Sequence, residues 1–295
     1  MPLNRIAVFA LTAVLAVFGP GCGPAEAAAT VPVRVMTFNI CGNVCRHGEV
    51  SRTAANIAYQ ITARHATVTM LQEVCYTQFL GVRARLAKRG YTAVFASAAK
   101  GGACDDVDRG HGRAFGVAIV AKGRLTGRVV RTLPSPSWIR PSSSIRPRSS
   151  IRPPSSVRPE GRVLLGSWLR IGGRSVYLVT THTAPGGPNL ATQMSAIRRY
   201  LAPIAATRPV IFGGDLNSLP DNHDLDAFYS PRYGGTGVFR EADDTRTDPI
   251  PTFVTVPRKI DYLFASERFF TPRAAGAAAT RYSDHRMYVG VFGQI

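Results

Sequence analysis

Acidic side chains are scarce in this chain. Its 295 residues carry 18 Asp and Glu against 36 Lys and Arg, a formal charge of +18 at pH 7. That balance argues against cationic partners and for polyanions, drawn in by counterion release and long-range steering. Nucleic acid and anionic lipid both qualify, although part of such charge serves solubility alone. Long apolar runs are missing too. The stretch at 6–18 is too short to span a bilayer comfortably. With Arg5 ahead of it and small residues at 25–29 behind, it reads as a secretory signal peptide, residues 1–29. Lipid attachment through Cys22 is the rival, but Gly19-Pro20-Gly21 is a poor lead-in; an uncleaved leader would act as a membrane tether. Arg5 and Glu26 cancel, so the secreted portion keeps the same charge.

Cysteine is sparse as well. Once the leader is removed, Cys41, Cys45, Cys75 and Cys104 remain. The zinc reading of Cys41 and Cys45 with His47 lacks a second cysteine pair, and an even number in an exported chain favours disulfides. Of the three connectivities, Cys41 with Cys45 and Cys75 with Cys104 is preferred. Asp105, Asp106 and Asp108 lack the ligand count and spacing of a calcium loop, and read as a solvated turn. His47, His65, His111 and His223 lack a partner pattern and read as surface or satisfied polar residues.

Residues 134–159 contain a period-six repeat, Ile139-Arg140-Pro141, Ile145-Arg146-Pro147, Ile151-Arg152-Pro153 and Val157-Arg158-Pro159, with serines between. Proline at that spacing blocks helix and ladder hydrogen bonds, so the segment is expected to be a disordered insertion. It is either an arginine-rich arm for phosphates or an expanded loop of no consequence. Around it, helices are expected at 49–64, 77–88 and 189–205. Strands are expected at 33–38, 67–72, 91–97, 115–121, 162–171, 175–181, 209–212 and 286–292. Gly172-Gly173 marks a hairpin.

The strands share a habit of ending in polar chemistry. The run at 209–212 closes on Gly213-Gly214-Asp215-Leu216-Asn217; were the strand to persist, Asp215 and Asn217 would point the same way. The run at 33–38 ends in Asn39, that at 67–72 in Glu73, and that at 176–181 in His182. Asp261 stands inside an apolar run, and Asp284-His285 stands ahead of one.

Together, Thr37-Phe38-Asn39, Leu71-Gln72-Glu73-Val74, Thr181-His182-Thr183-Ala184-Pro185, Gly214-Asp215-Leu216-Asn217, Ile260-Asp261-Tyr262 and Ser283-Asp284-His285 resemble the endonuclease/exonuclease/phosphatase superfamily, the DNase I-like metal-dependent phosphoesterases. The resemblance implies one α/β domain over residues 30–295. Its fold would be a four-layer sandwich of two facing mixed β-sheets flanked by helices.

It also implies roles. Glu73 would hold Mg²⁺, or Mn²⁺ or Ca²⁺, with Asn39 and Asp284 in the metal set. Asn39, Asn217 and Arg113 would contact phosphate. Asp215 and Asn217 would align the attacking water, and His285, oriented by Asp261, would handle protons and phosphate charge. His182 matches a second histidine of the DNase and sphingomyelinase branches, where the repair branch has tyrosine. The glutamate that supports it in the DNase branch is missing around 112–115, which leaves Arg113 there as a phosphate contact. Cys41 replaces an aspartate of the repair branch and, with the leader, argues against DNA repair.

The leading expectation is an exported nuclease, monomeric and without an obligate protein partner, acting on a polyanionic phosphodiester. A phospholipase of the same fold is the alternative, resting on Phe269-Phe270 as an exposed aromatic pair. A non-catalytic polyanion-binding protein built around the Arg-Pro repeat is the third.

Overall fold

The computed structural model describes residues 32–100, 102–104, 113–135 and 161–295. The expected leader, the acidic turn at 105–108 and all but the first two residues of the 134–159 segment lie outside these.

Chain order runs β1 (Val33–Asn39), α1 (Ser51–Ala63), β2 (Val68–Cys75), α2 (Tyr76–Ala87), β3 (Tyr91–Lys100), β4 (Ala114–Lys122), β5 (Thr126–Thr132) and β6 (Val163–Ile171). It continues with β7 (Arg174–His182), α3 (Gly187–Ala205), β8 (Val210–Asp215), β9 (Phe239–Glu241), β10 (Asp261–Ser266), β11 (Phe270–Ala278) and β12 (Met287–Gln294). The strands form two six-stranded sheets, ordered β11-β12-β1-β2-β4-β3 and β5-β6-β7-β8-β10-β9. Each is mixed, with one parallel pair near its centre: β1 with β2, and β7 with β8.

Period-two alternation decides which side chains fill the space between the sheets. Val35, Met70 and Ile119 of the first meet Leu165, Leu178, Ile211 and Leu263 of the second. Their strand neighbours face outward under helices. In α1, Ala54, Ile57, Ala58 and Ile61 recur at helical spacing and pack with Phe79 and Val82 of α2 over the first sheet. In α3, Leu190, Met194, Ile197 and Leu201 cover Val179 and Phe212 of the second. The result is the expected four-layer α/β sandwich.

The Gly172-Gly173 hairpin is present; both glycines have positive φ, 55° and 81°, as a two-residue turn between Ile171 and Arg174 requires. Both preferred disulfides form, Cys41–Cys45 and Cys75–Cys104. Four strands were not anticipated: β5 is almost wholly exposed and β11 is rich in alanine, so neither carries an apolar alternation, β9 is only three residues long, and β10 was read only as an apolar run. The expected exposed aromatic pair is also corrected. Phe270 is buried at the sheet interface, edge-on to Phe292, and Phe269 packs against the same core.

A polar chain joins the sheets: Thr37 Oγ1 donates to Gln72 Oε1 at 3.2 Å, and Gln72 Nε2 donates to Thr180 Oγ1 at 3.0 Å. A second junction is ionic. Lys259 Nζ, fully buried, lies 3.1 Å from Asp243 Oδ2 and 3.4 Å from Glu241 Oε1. Glu241 in β9 also accepts from Tyr288 of β12 at 3.0 Å and from the Leu263 amide at 3.0 Å. Burial pushes the Glu241 carboxyl up to about 8, against the pull of Lys259. Burial also opposes the charge on Asp243, but the hydrogen bond from Glu241 and the Lys259 ammonium outweigh it and hold that group low. One carboxylate therefore pairs with one ammonium while Glu241 keeps its proton.

A carboxyl raised on folding stabilises the fold fully below about pH 4.5, and that contribution is lost as pH rises through about 8. Urea midpoints taken between about pH 5 and 8 should fall for the parent and flatten in Glu241→Gln. An unchanged slope in the variant would refute the assignment.

Candidate active site

The sheet topology gathers the chemistry at one rim. Parallel β1 and β2 deliver Asn39 and Glu73 at their carboxyl ends. In the second sheet, His182 of β7 stands opposite Asp215 of β8. Antiparallel β10 begins with Asp261 directly across from Asp215, and β12 is entered through Ser283-Asp284-His285.

Asp215 is the hub and is buried, 1% exposed. Its Oδ2 accepts from Asn39 Nδ2 at 3.0 Å, with His182 Nε2 at 3.3 Å and His285 Nε2 at 3.6 Å. Its Oδ1 accepts from the Asn217 amide at 3.0 Å. Asn39 Nδ2 also donates to Glu73 Oε1 at 3.0 Å, so one carboxamide bridges the two sheets' carboxylates. His285 Nδ1 meets Asp261 Oδ2 at 2.9 Å, and the Phe253 ring stands edge-on to the imidazole. Ser283 links the sequence block to the first sheet: its Oγ donates to Asn39 O at 2.7 Å and accepts from the His285 amide at 3.0 Å.

Two histidines on one carboxylate are held in opposite protonation states. Burial opposes charge on His285, but Asp261, by charge and hydrogen bond, together with Asp215 and Asp284, raises its pKa to about 10. Burial, Arg162 and the His285 charge hold His182 well below the ordinary imidazole range. Arg162 Nη1 lies 2.7 Å from His182 Nδ1. A guanidinium can only donate, so Nδ1 is the acceptor and the ring proton sits on Nε2, facing Asp215. Burial and the neighbouring Asp261 charge raise Asp215 to about 7, with His285, Asn39 and Asn217 pulling the other way.

The match to known proteins agrees with this geometry. The model of the endonuclease/exonuclease/phosphatase family matches residues 36–285. The chain belongs to that family. Its members' name covers three kinds of phosphate-ester hydrolysis. No curated protein sequence matches the chain. Among solved structures, the human Nocturnin catalytic domain with bound sulfate is similar at TM-score 0.66 and 20% identity, over 90% of this chain and 94% of that one. A family protein from Bacteroides thetaiotaomicron is similar at 0.64 and 16%, over 89% and 98%. TDP2 from C. elegans follows at 0.61 and 16%, over 89% and 75%. At such identities these show the family's fold.

Within that family fold, several expected residues are placed differently from the sequence reading. β8 ends at Asp215, and Asn217 adopts φ 47°, so the two side chains are not on one strand face. Asn217 Nδ2 donates to Thr183 O at 3.0 Å, securing the loop after His182. Glu73 sits in a bulge of β2 with φ 56°, which turns it out of the ladder between Leu71 and Val74. Arg113 is exposed, and its guanidinium donates to Cys104 O at 3.0 Å and to Gly102 O, pinning that loop. Arg162 is the arginine at the rim. No motif marked it; the only signal is a basic residue ahead of a mostly apolar strand.

A divalent ion is expected in this family, and the residues fit one. The donor set is hard and rich in oxygen. Ligand atoms of Asp215, Asp261 and His285 lie within 4.8 Å of one another, and Asp261 Oδ1 is buried without a hydrogen-bond partner. Glu73, half-buried, adds a carboxylate through the Asn39 bridge. Asn39 itself departs from the expected ligand role. Its Nδ2 faces the carboxylates and its Oδ1 accepts from the Cys41 amide at 3.0 Å, so it orients ligands. Asp284 lies beside the Cys41–Cys45 disulfide, whose sulfurs are no metal ligands, and accepts weakly from Ser283 Oγ at 3.4 Å.

Proposed function

We propose that this protein is an exported, divalent-metal-dependent phosphodiester hydrolase whose substrate is nucleic acid. The observation that carries the reading is Asp215, a buried carboxylate raised to about 7, held between a cationic and a neutral histidine. A base for water must be unprotonated in part near neutral pH and yet basic, and Asp215 meets both conditions.

His285, charged and steered by Asp261, is placed to donate to an oxygen that gains charge as the phosphorus–oxygen bond breaks. His182 supplies an Nε2–H fixed by Arg162, and Asn39 keeps Glu73 and Asp215 in register. Asn217 holds the loop that carries Thr183 against the rim. A divalent ion, Mg²⁺ with Mn²⁺ or Ca²⁺ as substitutes, held by Glu73 and the Asp215 and Asp261 carboxylates, would offset negative charge on the phosphoryl oxygens. Two disulfides support an oxidising compartment, and the net charge supports a polyanion over a neutral ester. The lipid reading loses its motive now that Phe270 is buried.

The test presents plasmid DNA, RNA and sphingomyelin vesicles side by side to the purified protein, with His285→Ala and EDTA as controls. Nucleic-acid cleavage that disappears in both controls is expected. Hydrolysis confined to vesicles would move the substrate to lipid, and silence on all three would overturn the catalytic reading.

A further inference from the structure

Carboxylates are not merely scarce in this chain; two long stretches of it hold none. Residues 113–135 and 161–214, which build β4 to β7, α3 and most of β8, carry eleven Lys and Arg and no Asp or Glu. The outer face of the second sheet therefore combines positive charge with whatever its strands leave uncovered.

What they leave uncovered is aromatic. α3 covers the β7–β8 side of that face, but towards β5 and β6 a groove of about 560 Å³ remains, within the size range of ligand sites. Trp168 and Tyr200, both half-buried, line it, with Tyr177 beneath. The Trp168 and Tyr177 rings lie 4.7 Å apart, and the Tyr177 and Tyr200 hydroxyls 2.8 Å apart, so the floor is fixed in place. Arg131 rests its guanidinium 4.1 Å over the Tyr200 ring, and exposed Arg208 closes the far end. Arg170, two residues from Trp168 on the same face of β6, is exposed beside it. Among the described residues, no carboxylate lines the groove. The carbonyls at the end of α3, which would repel an anion, are partly capped by Arg268, whose Nη1 donates to Ala206 O at 3.1 Å.

We infer that this groove is a second, non-catalytic binding site for single-stranded nucleic acid. Half-buried aromatic rings in a cleft can be stacked on by unpaired bases and not by paired ones, while flanking arginines follow the backbone; that combination is how unpaired strands are held. The groove lies at the Ser175 end of β7 and the catalytic rim at the His182 end, about 23 Å away along the strand. A strand bound in the groove is held outside the catalytic centre. The inference rests on the nucleic-acid side of the proposal above and not on turnover.

Binding is therefore measured without hydrolysis, with the full chain carrying His285→Ala, in EDTA, by anisotropy of a labelled oligodeoxythymidylate. Trp168→Leu with Tyr200→Leu should weaken binding about tenfold or more. Because those rings also pack, Arg131→Gln with Arg208→Gln, both exposed, gives a second test: the slope of log affinity against log salt should shrink by about 1.4. With Trp138→Phe, Trp168 becomes the sole tryptophan, and the oligonucleotide should quench its emission. Equal affinity and equal salt slope in the arginine variant would overturn the proposal. So would quenching by phosphatidylglycerol vesicles with none by oligonucleotide. Hydrolysis by the parent with unaltered binding in the arginine variant would sink the groove and leave the catalytic reading intact; the reverse pattern would do the opposite.

Discussion

His285→Ala is expected to lower kcat for phosphodiester hydrolysis by a factor of about 10²–10⁴, the range for loss of a positioned proton donor. His285 contacts both Asp261 and Asp215, at 2.9 Å and 3.6 Å. Its removal takes away a cation facing the substrate side and also leaves two buried carboxylates without their shared counter-charge. Those carboxylates then bind protons more readily, so less of Asp215 is in the unprotonated form that a base needs near neutral pH. Asp261→Asn should act through the same ring. The double variant should therefore lose much less than the product of the single losses, as residues working as one unit do. Steady-state kinetics on a nucleic-acid substrate read this directly, with His285→Gln as a milder companion and urea unfolding to confirm that each variant folds. EDTA-sensitive activity within tenfold of the parent in His285→Ala would remove His285 from the chemistry.

Lys259→Met should cost about 3–5 kcal/mol of stability, the range seen when one partner of a buried ionic group is deleted. The ammonium is fully buried, with two carboxyls at 3.1 and 3.4 Å and the ring faces of Tyr288 and Tyr262 at 3.8 and 5.2 Å. A methionine fills the volume but leaves the Asp243 charge in a dry pocket. Adding Asp243→Asn to Lys259→Met should restore part of the loss, because it removes the stranded charge. Urea midpoints at neutral pH, with denaturant slopes checked for constancy, measure both. A loss under about 1 kcal/mol for the single variant would mean that water or a shifted proton already relieves the site.

The strand-end habit made the rim legible before any coordinates. Asn39, Glu73, His182, Asp215, Asp261 and His285 each terminate or open an apolar run, and alternation with parallel pairing brings such ends together. Backbone departures from regular strand were not legible. The bulge that turns Glu73 and the left-handed turn at Asn217 lie in segments whose residue pattern continues that of a strand. Arg162 was not singled out because a sequence shows that an arginine is present and not which carbonyl or ring nitrogen it will reach. Lys259 forms a basic pair with Arg258, where burial is the last thing composition suggests; its partners come from β9 and the loop after it, many residues earlier. Strand β5 was missed because an exposed edge strand has no inner face to impose alternation.

The place of β12 bears on how the molecule is made. The last strand of the chain lies in the interior of the first sheet, between β11 and β1, with Val33 paired to Phe292. A chain delivered from its N-terminus must therefore keep β1 with one flank unpaired until almost every other residue has emerged. Long-range closure of this kind is slow and leaves a strand edge open to foreign pairing. The same late strand is preceded by His285, so a nascent chain stalled anywhere before it would have neither a closed sheet nor that imidazole at the rim.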